Sequence, residues 1–162
     1  MPTDMILTWD QDIQGCKLAF ESNDVVTSKS LLTPVLVSLF TDARAADDDP
    51  LPDPLVSDRR GWWGDATNTD KLGDSVGSKL WLLEREKNSN QALLKAKAYI
   101  EEALKWMLDE GICKSILVTT ESQQVKNSGT IILAFQVKLN KPDGTTEAYK
   151  FEQEWGETAN GI

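Results

Sequence analysis

The sequence predicts an α+β protein in which a small antiparallel sheet packs against one long helix, with additional short helices and an N-terminal strand region. Three observations carry this reading. Leu93, Ala96, Ile100, Ala103, Leu104 and Met107 recur at the 3.6-residue period of a helix with one buried face. The period then changes to two in TIILAFQVKLN, where Ile131, Leu133, Phe135, Val137 and Leu139 share one side of a strand. Lys141 to Gly144, read KPDG, follows as a turn that sends the chain back antiparallel.

Each element has its own local warrant. Met5–Trp9 and Cys16–Phe20 read as short strands on either side of the turn-prone stretch Asp10–Gly15. In SLLTPVLVSLFTDARA, Thr33 is placed to cap a helix and Pro34 to take its first position, where the missing N–H costs nothing. Val35, Leu36, Leu39 and Phe40 form the face that helix buries. From Ala45 to Asp58 the chain is rich in Asp and Pro and reads as a loop or linker. GSKLWLLEREK resumes a short helical pattern. Asn88 or Ser89 offers a cap for the long helix Gln91–Glu110, and Gly111 is placed to end it. Strands are expected over Ile112–Glu121 and Thr145–Trp155, the second with Tyr149, Phe151 and Trp155 on one side.

A chain of 162 residues is about one domain and can bury roughly two-thirds of its unfolded surface. The expected organisation is therefore one domain over 1–162. It comprises N-terminal strands (1–30), a helix with the acidic loop and RGWWGD segment (31–88), and the long helix with a three-stranded antiparallel sheet (89–162).

Composition excludes several function classes. The net charge of -9 repels a phosphate backbone and an anionic membrane, so neither is an expected partner. No apolar run approaches the roughly 18 residues of a membrane span, and MPTDMILTWD lacks the basic start of a signal peptide. The chain is expected to stay in the cytoplasm where it is made. Cys16 and Cys113 form no CxxC pair and read as free thiols.

The sequence contains no histidine, which removes Ser-His-Asp, Cys-His and His-metal mechanisms. Its 26 acidic residues give no reason to single out a catalytic pair for glycosidic cleavage. Asp47, Asp48, Asp49 and Asp53 gather carboxylates, but a calcium loop counted from Asp47 would need Gly and Glu where Pro52 and Asp58 stand. No Gly-rich phosphate loop is present. No cofactor, metal or small-molecule ligand is expected.

The segment DRRGWWGD, Asp58 to Asp65, places two adjacent tryptophans where regular structure is unfavourable. Each indole can bury about 150–250 Å². Two readings follow: the rings fold onto the domain's own core with Arg59 or Arg60 stacked on an indole, or at least one anchors another protein, since Trp and Arg are enriched at interface hot spots. One ring internal and the other at an interface is the mixed expectation.

The ordered series SLFTDARAADDDPLPD, DRRGWWGD, GSKLWLLEREK and AYIEEALKWMLDEGI, then a hairpin turning at PDG, resembles the Mu-type baseplate proteins of contractile-tailed phages. It covers Leu31 to Trp155, and RRGWWGD with GSKLWLLEREK is its most specific part. The helix-and-strands half also resembles the wider family of small baseplate wedge proteins, or sheath initiators. The resemblance implies a structural protein of the virion tail baseplate, in six copies around the hub, joining wedge and hub proteins and supporting the first ring of the sheath protein. It implies no enzyme. Where the wider family has Glu-Pro-Arg at the end of the long helix, this chain reads DEGI, so a contact made by that Arg is not carried over. The other classes weighed are a peptidoglycan-cleaving, lysozyme-like tail enzyme and a tail assembly chaperone absent from the particle.

Strand exchange between neighbours in the resembled proteins directs attention to Thr145–Trp155. Its outward set, Thr146, Ala148, Lys150, Glu152 and Glu154, contains no Pro to block an edge. The candidate interface residues are therefore Arg59, Arg60, Trp62, Trp63, Ala148, Lys150 and Glu152. The alternative is that Met5–Trp9 covers this edge.

Overall fold

The structure, a computed structural model, describes residues 4–10, 12–13, 15–21, 24–25, 27–67, 75–125 and 130–155. Among the described residues six short strands come first: β1 (Asp4–Met5), β2 (Leu7–Asp10), β3 (Gly15–Leu18), β4 (Phe20–Glu21), β5 (Asp24–Val25) and β6 (Thr27–Ser28). β2 pairs with β3, β4 with β5 and β1 with β6, all antiparallel. The two expected N-terminal strands are thus present, and the return pair β5 and β6 is added to them.

Helix α1 spans Leu32–Phe40. Its apolar face matches the expected one, with Val35, Leu36 and Leu39 buried. The expected cap does not hold. Thr33 lies inside the first turn, where its hydroxyl donates to the Met5 carbonyl at 2.6 Å and accepts from the Leu7 N–H at 3.0 Å. Pro34 is the third helical residue rather than the first, still at a first-turn position where an N–H would have no intrahelical acceptor. Those donors are served from elsewhere: Ser30 Oγ accepts from Leu32 N–H, and Glu147 Oε2 accepts from Leu31 N–H.

Helix α2 spans Asn90–Asp109, capped by Ser89, whose side chain accepts from the Ala92 N–H. Ala92, Ala96, Ile100, Leu104 and Met107 are buried at spacings of three and four. Gly111 at φ +70° turns the chain out of the helix. Strands β7 (Ser115–Gln124), β8 (Ile131–Asn140) and β9 (Thr146–Trp155) then form an antiparallel sheet in the order β7-β8-β9. The register aligns Val118, Val137 and Tyr149 in one row and Thr120, Phe135 and Phe151 in the next.

The inner sheet face is covered by both helices. α2 packs on β7, and Thr120 Oγ1 donates to the Leu93 carbonyl. α1 closes the β9 side through Phe40, which stacks on Trp9 (4.0 Å between centroids) and meets Phe151 edge-on at 5.4 Å. One apolar cluster runs from Leu31 through α2 to Phe151. β9 is an edge, because β2 pairs with β3 and no strand lies on β9's outer side among the described residues.

Candidate interaction surface

After Phe40 the chain leaves α1 extended and meets residues 75–83, which are stitched to it by backbone. Asp42 and Ser78 form a parallel bridge, Ser78 N–H donates to the Thr41 carbonyl, and Ala43 N–H donates to the Ser78 carbonyl. Gly77 makes this approach possible. Its φ is +114°, and a Cβ there would collide with the Thr41 carbonyl oxygen. The GSKLWLLEREK segment forms a short 3-10 helix, Leu80–Leu83, whose Trp81 is buried and donates its indole N–H to the Ala43 carbonyl at 2.8 Å.

Both arginines of DRRGWWGD are committed within the chain. The Arg59 guanidinium donates to the carbonyls of Ala46, Asp47 (2.8 Å) and Asp49 (3.3 Å), closing the acidic turn around itself. Asp49 completes that turn by accepting from the Ala46 N–H and pairing with Lys79 at 2.8 Å, and the Lys79 hydrogen bond holds its carboxyl below the usual carboxylate range. Arg60 bridges Asp42 (2.9 Å) and Glu84 (3.0 Å), with its guanidinium carbon 4.4 Å from the centre of the Trp81 ring. An arginine does stack on an indole, but the indole is Trp81 rather than Trp62 or Trp63. Arg60 adopts φ +51°, a left-handed conformation rare outside glycine, with its N–H held by Asp58 Oδ1 at 2.8 Å.

That clasp delivers the two tryptophans to the outside. Trp63 is 77% exposed and Trp62 43%, their ring centroids 5.5 Å apart. Trp62 lies against Gly64, where a Cβ would collide with the ring. Its other side walls an open groove of about 670 Å³ between α1 and the end of α2, with Pro34, Val37, Ala103, Trp106 and Ile112 among the lining residues. Neither ring belongs to the main apolar cluster.

The remaining candidates stand apart from these rings on β9. Ala148, Lys150 and Glu152 are exposed on the outer sheet face, opposite Lys138, Gln136 and Ala134 of β8. The inner face of the same strand is fastened to α1. Tyr149 and Lys141 both donate to Glu147, and Ser30 Oγ lies 2.9 Å from the Tyr149 hydroxyl. Burial alone would raise the Glu147 carboxyl, but Lys141, Tyr149 and the Leu31 N–H together hold it below its ordinary range. Burial first, and then that carboxylate, push the Tyr149 phenol far upward.

Sequence reasoning missed two residues here. Trp81 is the platform on which Arg60 rests, and Trp106 lines the groove. Trp106 carried a usable signal: it falls between the buried positions Leu104 and Met107 of the helical stripe, where a polar side chain is expected.

A family model described as phage protein GP46 matches residues 31–146. The chain is similar to a protein named baseplate protein gp46 of Escherichia phage Mu, 40% identical over 150 residues covering 93% of this chain and 95% of that protein. It is also similar to Mu-like prophage FluMu protein gp46 of Haemophilus influenzae, 34% identical over 153 residues, 94% of this chain and 98% of the relative.

Proposed function

This chain belongs to the phage protein GP46 family of Mu-type phage baseplate proteins, and we propose that it is a structural component of a contractile tail, joining baseplate wedge to hub and supporting initiation of the sheath. The observation that carries the reading is the near full-length likeness to a protein named for the baseplate. The chain works by assembly rather than catalysis. Its carboxylates are used as structural partners: Asp42 and Glu84 for Arg60, Asp49 for Lys79, Glu147 for Lys141.

Two surfaces serve the neighbours. The exposed Trp63, with Trp62 behind it, anchors one contact, and Arg59 and Arg60 shape the loop that presents them. The outer edge of β9, through Ala148, Lys150 and Glu152, meets a strand of another baseplate or sheath protein, a mode whose affinity comes from main-chain hydrogen bonds. Six copies form the ring, a closed symmetric assembly built in the host cytoplasm without nucleic acid, membrane or small molecule as partner.

Imaging purified particles that carry a labelled chain reports location and copy number together. Density at the baseplate is expected, and absence from the particle would point instead to an assembly chaperone. The edge contact is tested by Lys150→Pro, which removes one N–H at an exposed edge position. The isolated protein should stay folded while sheath initiation stops. Normal sheaths on baseplates carrying that change would refute the strand contact.

A further inference from the structure

We infer that the N-terminal strands and β9 order each other, so that the edge β9 offers to a partner is set by residues from the opposite end of the chain. The N-terminal strands do not hold themselves. β1 and β6 pair over two residues, β4 and β5 over two, and β2 and β3 over four. Two-stranded ladders are marginal in water, so the order of these strands is drawn from what they touch.

They touch the start of α1 and, through it, β9. Thr33 stands in for a strand partner, accepting from the Leu7 N–H and donating to the Met5 carbonyl. Just before it the same segment is fixed to β9: Glu147 accepts from the Leu31 N–H at 2.9 Å, and the Tyr149 hydroxyl lies 2.9 Å from Ser30 Oγ. A second route is aromatic. Trp9 of β2 stacks on Phe40, Phe40 meets Phe151 edge-on, and Gln153 borders the same cavity as Leu7 and Trp9. Glu147, Tyr149, Phe151 and Gln153 are alternate residues and so share one face of β9. Residues between Leu7 and Phe40 meet that face along its length, whereas pairing with β8 holds only one edge of the strand. The polar and aromatic routes close a circuit. An element that loosens within it withdraws support from the next, and the effect is equal in both directions.

Use of this coupling in the particle rests on the strand contact proposed for β9, which Lys150→Pro tests. The coupling itself is read on the isolated chain, so the two fail separately. Hydrogen exchange followed by mass spectrometry is compared for the unaltered chain, Thr33→Val and Tyr149→Phe. Each change deletes one hydroxyl and spares the buried residues of the main cluster. Thr33→Val should speed exchange in β2 and β3 and also in β9 by about fivefold or more, while β7, across the sheet, changes by less than about twofold. Tyr149→Phe should act in the opposite direction, speeding exchange in β2 and β3 by a similar factor. A smaller acceleration at the far element, β9 in the first variant or β2 and β3 in the second, overturns the coupling. Equal acceleration of β7 also overturns it, since that reports a loss of global stability.

Discussion

In α2, Ala92, Ala96, Ile100, Leu104 and Met107 turn wholly inward against a sheet whose Val118, Val137 and Leu139 are equally buried. From Asp42 to Asp65 the anchoring is of another kind. Arg59 is wrapped by three backbone carbonyls, Arg60 is held by two carboxylates and one indole, and the large apolar rings point into water. The first region obtains its order by hiding apolar surface, and so has little left to offer a neighbour on that face. The second adds these polar contacts to a small apolar cluster of Ala45, Trp81 and Leu82, and Trp62 and Trp63 stay outside that cluster. On the proposed reading, the buried face of helix and sheet carries stability, and the tryptophan loop carries one of the two recognition surfaces.

The sharpest way to separate the regions is to remove buried volume from the first. Leu104→Ala should lower stability by about 2–5 kcal/mol, seen as a fall in the denaturation midpoint. A near-neutral result would mean that α2 is not the structural spine. Gly77→Ala attacks the seam that joins the two regions. It places a side chain at φ +114° against the Thr41 carbonyl and should cost about 1–3 kcal/mol by the same measurement.

Arg60→Ala works on the second region and its ties to Trp81 and Glu84. It removes two partly exposed ion pairs and a ring contact, worth about 1 kcal/mol together, while cleavage by protease within residues 58–65 should rise well beyond what that loss of global stability explains. Unchanged protection of the loop would show that the backbone bridges, and not Arg60, hold it.

Acid probes the polar fastening that does occur within the first region. Because the Glu147 carboxyl is held below its ordinary range in the folded protein, its contribution is present above the unfolded value of about 4.3 and is lost as pH falls through the lower folded value. Glu147→Gln should flatten that part of the acid limb in a stability-versus-pH curve. Asp49, held low mainly by Lys79, should leave a residual slope. An identical limb in the variant would remove Glu147 from the account.

How far the sequence was legible follows the same division. Ser89 and the buried stripe of α2 could be read because a cap and a helical period are local signals. The alternation in β8 was as clear, and its Leu133, Phe135, Val137 and Leu139 are buried as expected. Thr33 misled because a residue 28 positions away accepts its hydroxyl proton, and because the helix starts before it, so that the Val35 N–H a cap there would serve goes to the Leu31 carbonyl. RRGWWGD could be recognised as unusual, but the partners of its arginines come from the Ala46–Asp49 turn, Asp42, Trp81 and Glu84, and no local pattern brings these together.

The most direct test is Trp63→Ala, scored both for folding of the pure protein and for incorporation into tail particles. A ring that is 77% exposed should change stability by no more than about 0.5 kcal/mol when removed. The account predicts a wild-type unfolding midpoint together with particles that lack the chain or fail to assemble. Normal incorporation and normal particles, or a loss of several kcal/mol in the isolated protein, would contradict the claim that this loop is built to hold its tryptophans out for a neighbour.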